Sequence, residues 1–574
     1  MSFEGRVLAA RRGESLAAAL VAHGVLALRQ TRGGSERGVF CGMGVCQECL
    51  VTIDGRANAN ACMTVVDRPM AVTRQVFPPV VSVASEPDVR DPPPLEDPGP
   101  DVLVVGGGAG GLAAAAVAAE AGARVLVVDE RAKPGGQYFK QPAPGLEATV
   151  GVPDDVQFAG GRRLIARARE AGVRFVRGSV IGRDGDAGLL MLTDSGAVLR
   201  LTPRRLVVAT GAYERPHPIP GWTLPGVMTT GAMQTLLRTD RVLPGKRILV
   251  AGNGPLNLQV ALELARAGAR AVTVAEAAPA PGPDRLAALA GMALSSPSLL
   301  ARGAATVLGL LRQGSAVRWG AVVTRIEAGP DGLVATLSGP DGKDAVVSAD
   351  AIGLGYGFLP AHDLLRLLHC PQIYDAGRDQ LVTPRDADMR TGTAGIFAVG
   401  DCCGLGGAPA ALAEGVVAGA TAAGEVGFAL PARLRSDLAK ARRDLARHRR
   451  FQDALWRLFA APPAGLALAG PDTIVCRCED VTLDAIDRAL CEGVADIGSL
   501  KRATRLGMGR CQGRYCGPLA VRHLADRRGA AVDAMSFLHP RPPIRPVRLG
   551  ALAGVAEAAP TLDPDAHRPQ PPKA

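Results

Sequence analysis

A chain of 574 residues is too long for one hydrophobic core and predicts three or four domains. Its 47% apolar and 21% charged residues exclude wholesale disorder, and its 71 Gly and 44 Pro follow no collagen-like period. The formal charge of +10 comes from 58 Arg and 7 Lys scattered along the chain, and 3% of residues are aromatic. Neither a polybasic arm nor a stacking platform for nucleic acid is expected.

The opening residues, MSFEGRVLAARRGE, lack an apolar signal core, which predicts that the chain is not exported. In a reducing cytosol cysteines do not serve as disulfides, so the twelve present need another role. Cys41, Cys46, Cys49 and Cys62 follow the spacing C-x4-C-x2-C-x12-C in a segment expected to span 1–84. That is how a plant-type ferredoxin motif for a [2Fe–2S] centre opens. Gly38, Gly42 and Gly44 in RGVFCGMGVCQECLV let the backbone fold tightly, so that peptide N–H groups can point at cluster sulfurs. Zinc is the competing use of four thiolates, but zinc sites usually pair two C-x2-C knuckles, which this spacing does not supply.

The stretch SEPDVRDPPPLEDPGP (Ser85 to Pro100) is rich in Pro and Asp and reads as a linker. After it, DVLVVGGGAGGLAAAAVAAEAGARVLVVDE predicts a strand, a helix of small residues and a second strand. Gly106, Gly108 and Gly111 carry the dinucleotide fingerprint: a tight turn, an approach for pyrophosphate, and close helix–strand packing. Asp129 and Glu130 close the second strand, where an acid takes the ribose hydroxyls. Glu120 and Arg124 interrupt this most apolar run, so no transmembrane helix is expected. A second copy, KRILVAGNGPLNLQVALELARAGARAVTVAEA, has Gly252, Gly254 and Glu276, with Asn257 where the third glycine belongs. Asn257 is expected to crowd the helix–strand contact, and Glu276 in place of an Arg argues against NADP. Both folds fall in a unit expected over 101–440, the second at about 245–345.

Further on, RRDLARHRR (Arg442 to Arg450) reads as the solvated face of a helix. A unit expected over 465–530 carries Cys476, Cys478, Cys511 and Cys516 as C-x-C-x32-C-x4-C, a spacing that fits zinc or an iron–sulfur centre. Thr482 is placed to cap the helix after VCRCED, and Arg477, Lys501, Arg502, Arg505, Arg510 and Arg514 are expected to surround the thiolates with positive charge. Cys491 reads as a small buried residue, and vicinal Cys402 and Cys403 as packing residues. The eight His form no triad or H-x-x-H pattern, so no catalytic residue is assigned. Residues 531–574 read as a Pro-rich tail.

With VVATGAYERP (Val207 to Pro216) and TAGIFAVGD (Thr393 to Asp401), the chain resembles the FAD-containing pyridine nucleotide–disulfide oxidoreductases. The resemblance implies FAD on the first fold, Gly400 and Asp401 at the flavin ribityl chain, and Thr210 and Gly211 at the crossover between subdomains. It places Gly136 and Gln137 of PGGQ beside the isoalloxazine. The whole order, from RGVFCGMGVCQECLVTIDG through GWTLPGVMTTGAMQTLL to CRCEDVT and GMGRCQGRYCG, is similar to the alpha-type subunits of bacterial flavoprotein amine dehydrogenase complexes. These include octopine and nopaline oxidases, hydrogen cyanide synthase, hydroxyproline and proline dehydrogenases, and heterotetrameric sarcosine oxidase. The last module resembles bacterioferritin-associated ferredoxin, which implies a second [2Fe–2S] cluster.

The expected fold class is therefore α/β: a ferredoxin-like β-grasp domain, a flavoprotein with two dinucleotide-binding domains, and a small α-rich iron–sulfur domain. A flavin between two one-electron centres along the chain reads as a wire. The resemblance implies a partner beta subunit, an FAD-dependent amine oxidase, that takes hydride from a C–N bond. Electrons would leave through this chain to a quinone or another acceptor. NAD or another adenine nucleotide at the second fold, FMN at a subunit interface, and a cytoplasmic location peripheral to the inner membrane belong to the same expectation. The ending PRPPIRPVRL with its Pro-rich tail, in place of a large folate-binding domain, predicts no folate site. A self-contained NADH-dependent reductase and a non-catalytic assembly subunit holding zinc are the alternative readings.

Overall fold

The computed structural model describes residues 1–79, 99–146, 156–185, 188–461 and 465–557. The expected linker, apart from its last two residues, and the end of the expected tail lie outside the described residues.

The N-terminal unit is the expected β-grasp. Its five-stranded sheet has the order Arg6–Val7, Ser2–Phe3, Ala71–Arg74, Leu50–Ile53, Arg56–Asn60. Ser2–Phe3 runs parallel to Ala71–Arg74 and the other pairings are antiparallel. The helix Leu16–Ala22 starts at Ser15, whose hydroxyl accepts from the Ala18 N–H, and it buries Leu16, Leu20 and Val21.

The flavoprotein unit is built on a seven-stranded sheet. Its parallel part has the order Arg174–Asp184, Val125–Asp129, Val102–Val105, Arg205–Val208, Ile396–Ala398. The apolar runs VLVV and VLVVD are buried on both faces, as strands covered by helices on each side must be. One cover is the helix Ala109–Glu120, against which the helix Ala408–Glu425 lies very close. A Cβ on Gly415 would sit 2.2 Å from the Gly110 carbonyl oxygen, and one on Gly419 would sit 2.3 Å from that of Ala114. The Ala- and Gly-rich composition of both helices is what this approach requires.

The second nucleotide unit has five parallel strands in the order Val227–Thr229, Ala351–Gly355, Arg247–Gly252, Ala271–Glu276, Ala316–Trp319. Its sheet thus draws strands from both sides of the 245–345 segment. The long helix Ala432–Leu458 exposes Arg442, Arg443, Arg447, Arg449 and Arg450, the solvated face expected of that run. Its apolar stripe packs Leu445 in the core of the first unit and Phe451 and Ala454 against Ala288 and Met292 of the second.

The last unit has a hairpin, Ile474–Cys476 with Val481–Thr482, and helices Leu483–Cys491, Ile497–Thr504 and Cys516–Arg528 around Val475, Ile486, Leu500 and Leu506. Thr482 caps the first helix by accepting from the Ala485 N–H. Cys491, expected to be buried, is exposed at the end of that helix, on the face away from the core. From here the chain returns across the flavoprotein unit, where the Ile544 N–H donates to the Ile181 carbonyl at 2.8 Å and Ile544 is buried. Among the described residues no helix is long and apolar enough to cross a membrane.

Candidate functional site

The first glycine turn is shaped by what it cannot accommodate. Gly106 has φ +106°, and a Cβ there would lie 2.3 Å from the Ala209 carbonyl oxygen; one on Gly111 would lie 1.8 Å from that of Gly106. Gly108 differs, because a Cβ there would meet nothing nearer than the Gly136 Cα at 3.9 Å. The PGGQ segment therefore lies directly across from the turn, tied to it by the Gly135 N–H donating to the Gly107 carbonyl at 2.8 Å. Gly136 faces the turn at Gly108, and Gln137 beside it is half-buried. The two glycine segments pack backbone to backbone, a Cβ on Gly136 lying 2.7 Å from the Gly108 Cα, and the absence of side chains here is what lets a pyrophosphate approach a glycine turn.

Asp129 and Glu130 go to different places. Asp129 accepts from the Gly107 N–H at 2.6 Å and the Arg131 N–H at 2.7 Å, so it belongs to the turn, and burial pushes its pKa up. Glu130 accepts from Arg545 Nε at 2.8 Å and Ser179 Oγ at 3.1 Å, on the returning segment's side. Thr210 Oγ1 donates to the Ala361 carbonyl at 2.7 Å, and the Ala361 N–H donates to the Gly211 carbonyl, which pins the crossover between the two nucleotide units. Asp401 accepts from the Gly406 and Gly407 N–H groups, 2.9 Å each, at the start of the helix Ala408–Glu425. The Gly400 N–H donates to Glu414, itself held by Arg385. Cys402 and Cys403 are buried free thiols 3.7 Å apart, in keeping with packing roles.

In the second fold Glu276 is fully buried and accepts from the Gly254 N–H at 2.9 Å, the Ala278 N–H at 2.9 Å and Asn253 Nδ2 at 3.0 Å. Burial pushes its carboxyl up to about 7 despite these bonds. Asn257 does not crowd its helix. Its Nδ2 donates to the Gly355 carbonyl and its Oδ1 accepts from Thr230 Oγ1, both at 2.9 Å, so it stitches helix, strand and crossover together. Asn253 Nδ2 also donates to the Phe459 carbonyl at 2.9 Å, and Arg285 holds the carbonyls of Arg457, Leu458 and Ala460. The carbonyl end of the long helix thus lies against this glycine turn. His217 stacks on Tyr356 with centroids 3.8 Å apart, and burial drives it down to about 4.

Each cysteine set is brought together. In the first, Cys41 accepts from the Met43 and Cys46 N–H groups and Cys49 from the Cys62 N–H, all at 3.4 Å. Burial pulls the Cys41 thiol upward, but hydrogen bonds from Cys46, Cys62 and these peptides hold it well below its usual range. In the second, Cys476 pairs with Cys516 and Cys478 with Cys511. Peptide N–H groups of Gly507 and Glu479 reach Cys476; those of Tyr515 and Gly513 reach Cys511, whose thiol falls to about 7, chiefly through Cys478. Among the described residues no three His, Cys, Asp or Glu side chains close on a single-ion site. The thiols of the first set form a chain from Cys46 through Cys41 and Cys62 to Cys49, those of the second form two pairs, and peptide N–H groups donate to the sulfurs. Of the six cations expected around the second set, Arg477 and Arg514 are buried against it, whereas Arg502 and Arg505 are exposed and paired with Ser499 and Glu479.

Along the chain the flavin fold separates the two sets; in space the sets are neighbours. Cys46, Cys476, Cys478, Cys511 and Cys516 line one small internal cavity with Glu48, Arg477 and Tyr515. Tyr515 is the common contact. Its ring lies 5.6 Å from Phe40, next to Cys41, and 5.5 Å from Tyr213, three residues after Thr210. No motif contains Tyr213, Phe40 and Tyr515 together, so sequence reasoning missed them; adjacency to ligand and crossover residues was the available signal.

Comparison with known proteins places three parts of the chain in known families. Residues 100–415 match the pyridine nucleotide-disulphide oxidoreductase family, residues 1–76 a 2Fe-2S iron-sulfur cluster binding domain, and residues 471–555 the sarcosine oxidase A3 domain. Fold and site define an FAD-dependent oxidoreductase carrying an iron–sulfur domain. An opine oxidase subunit from Rhizobium meliloti (strain 1021) is 34% identical over 462 residues, 80% of this chain and 99% of that protein. Hydrogen cyanide synthase subunit HcnB of Pseudomonas aeruginosa is 33% identical over 483 residues, again 80% and 99%. The chain belongs to the family of these flavoprotein subunits. L-Proline dehydrogenase from P. horikoshii shares the fold, with TM-score 0.69 over 96% of each chain at 20% identity.

Proposed function

We propose that this chain is the electron-transferring subunit of a multi-subunit dehydrogenase or oxidase that acts on the C–N bond of an amino acid, an opine or a related amine. A partner FAD subunit supplies the electrons and a quinone or similar acceptor receives them. The observation that carries the reading is the meeting of Tyr213, Tyr515 and Phe40, which joins the flavin crossover to both cysteine sets. FAD lies on Gly106, Gly108, Gly111, Asp129, Gly136, Gln137, Thr210, Gly211, Gly400 and Asp401; both cysteine sets hold [2Fe–2S] clusters. FAD held there would supply the switch from two-electron to one-electron chemistry, and clusters on the two cysteine sets would carry one electron each.

The chain's residues bind, orient and manage protons. Gly108 and Gly136 admit the phosphates, Asp129 faces the ribose, and Asp401 fixes the helix start beside the flavin. Glu214 and Lys140 are buried on either side of Gly231: Glu214 accepts from the Gly231 N–H, and Lys140 donates to the Gly231 carbonyl and to Gln234. Burial brings both groups to about 7, so together they can hold or give up a proton near neutrality, Lys140 lying three residues beyond the PGGQ segment. The second fold takes NAD or another adenine nucleotide, and FMN belongs to the subunit interface of the assembled complex. Peripheral attachment to the inner membrane completes the reading.

Stopped-flow reduction of the isolated chain tests it. Candidate amines should leave the flavin oxidised, and co-expression with an amine-oxidase-like partner should create amine-dependent dye reduction. Fast reduction by an amine alone would place the substrate site in this chain. Fast reduction by NADH, unchanged by any partner, would make it a stand-alone reductase.

A further inference from the structure

The loops bearing the two cysteine sets are bonded to each other through buried charge. Glu48 lies between Cys46 and Cys49 and is fully buried. Arg29 Nη2 donates to it at 2.8 Å, and Arg37 Nε and Arg477 Nη2 lie 3.6 and 3.4 Å from its second oxygen. Arg477 lies between Cys476 and Cys478. Arg37 also pairs with Asp480 at 2.8 Å, two residues beyond Cys478. Three buried guanidiniums therefore face two carboxylates, an excess of one positive charge before any cofactor is counted.

Arg477 is fixed at the centre of this joint. Its guanidinium carbon lies 4.0 Å from the Phe40 centroid and 4.6 Å from that of Trp222, and Nη1 donates to the Trp222 carbonyl at 2.8 Å. Its Nε has no hydrogen-bond partner. Burying three arginines around two acids costs more desolvation than the ion pairs return unless further negative charge sits nearby. Two clusters on four thiolates each supply that charge, and more of it when reduced.

We propose that the two cysteine sets hold their clusters as one adjacent pair that exchanges electrons directly, with Arg477 as the positioning residue that keeps positive charge between them. The exchange moves one electron from a reduced cluster to an oxidised one; no bond forms or breaks and no proton moves. The electron comes from the flavin of the same chain. Low local dielectric makes the guanidinium effective on both sides, so it stabilises the added electron on either cluster. The inference rests on the reading that both sets bind [2Fe–2S].

Electron paramagnetic resonance of the full-length protein, reduced stepwise with dithionite, tests it alongside iron and acid-labile sulfide analysis. Fully reduced protein should give a broadened or split spectrum from two interacting spins. Cys46→Ser and Cys511→Ser should each keep one cluster and give a simple, uncoupled signal. Iron for two clusters with a wild-type spectrum equal to the sum of those two signals would overturn the pairing and leave the two-cluster reading standing. Iron for a single cluster would overturn both. Arg477→Gln should lower both midpoint potentials and Arg477→Lys should restore most of the shift; unchanged potentials in Arg477→Gln would remove Arg477 from the proposal. If Arg477→Gln does not fold, the spectra of wild type and the two cysteine variants still decide the pairing.

Discussion

The two glycine folds of this chain start from nearly the same local sequence and end in different surroundings. At the first, the turn faces another glycine, and Gly108 has open space where a side chain would point. At the second, a side-chain amide from Asn257 knits the turn to Gly355 and Thr230, and the Phe459 carbonyl at the end of a distant helix accepts from Asn253. A carbonyl-rich helix end carries partial negative charge, which opposes a phosphate. The same strand–turn–helix thus faces a second glycine segment in one setting and is braced by side-chain amides in the other, while the middle glycine of each, Gly108 and Gly254, is free of close side-chain contact.

The contrast is broken most severely at the first turn. Gly108→Val should leave the protein folded, since a Cβ there meets only the Gly136 Cα at 3.9 Å, while FAD content falls to less than about a tenth of stoichiometric because the branched side chain fills the pyrophosphate approach. Absorbance of the purified protein near 450 nm, about where flavins absorb, and circular dichroism check the two halves of this expectation. Stoichiometric FAD would refute the placement. Gly111→Val should instead abolish soluble expression, because its Cβ would overlap the Gly106 carbonyl.

At the second turn the larger effect is on stability. Asn257→Ala strands the Gly355 carbonyl and the Thr230 hydroxyl in a buried site, a cost of about 2–3 kcal/mol. A fall in Tm with unchanged FAD content is expected; an unchanged Tm would mean that the amide braces nothing.

Glu276 supplies a pH dependence. Its folded pKa, raised to about 7 by burial, means that the folded state holds the proton more tightly than the unfolded chain. Its stabilising contribution is complete below the unfolded carboxyl pKa and is lost as pH rises through about 7. Between about pH 5 and about pH 8, Glu276→Gln should therefore lose less Tm than wild type in scanning calorimetry. Parallel pH profiles would refute the buried carboxyl.

The smallest expected effect concerns the helix end that braces the second turn. Arg285→Gln removes the cation that neutralises the carbonyls of Arg457, Leu458 and Ala460 and should weaken binding of NADH or ATP by a few-fold, about 1 kcal/mol. Isothermal titration calorimetry on full-length protein reads it directly. Unaltered affinity would show that the charge at this helix end does not act on the nucleotide.

Much of this molecule was legible from local pattern. Apolar runs and glycine spacing identify both nucleotide folds, and the cysteine spacing identifies the first sulfur set, because turn geometry and ligand spacing are short-range properties. The cap at Thr482 and the solvated arginine face of the long helix were readable for the same reason. Asn257 was readable as an exception but not in its consequence, since its partners Thr230 and Gly355 lie far from it in sequence. Cys491 was misplaced because helical periodicity gives a face only when the position of the core is known.

What the sequence determined by itself is the inventory: two dinucleotide folds, two sets of four cysteines, and the glycines that let backbone approach backbone. What only the tertiary structure decided is their arrangement. It separates Asp129 on the flavin turn from Glu130 on the returning segment, and lays a helix end on the second turn. It also brings Cys46 and Cys478 to one cavity from opposite ends of the chain. The physical reason is that spacing constrains residues a few positions apart, whereas packing and buried charge pairing act between residues that meet only once the core has formed.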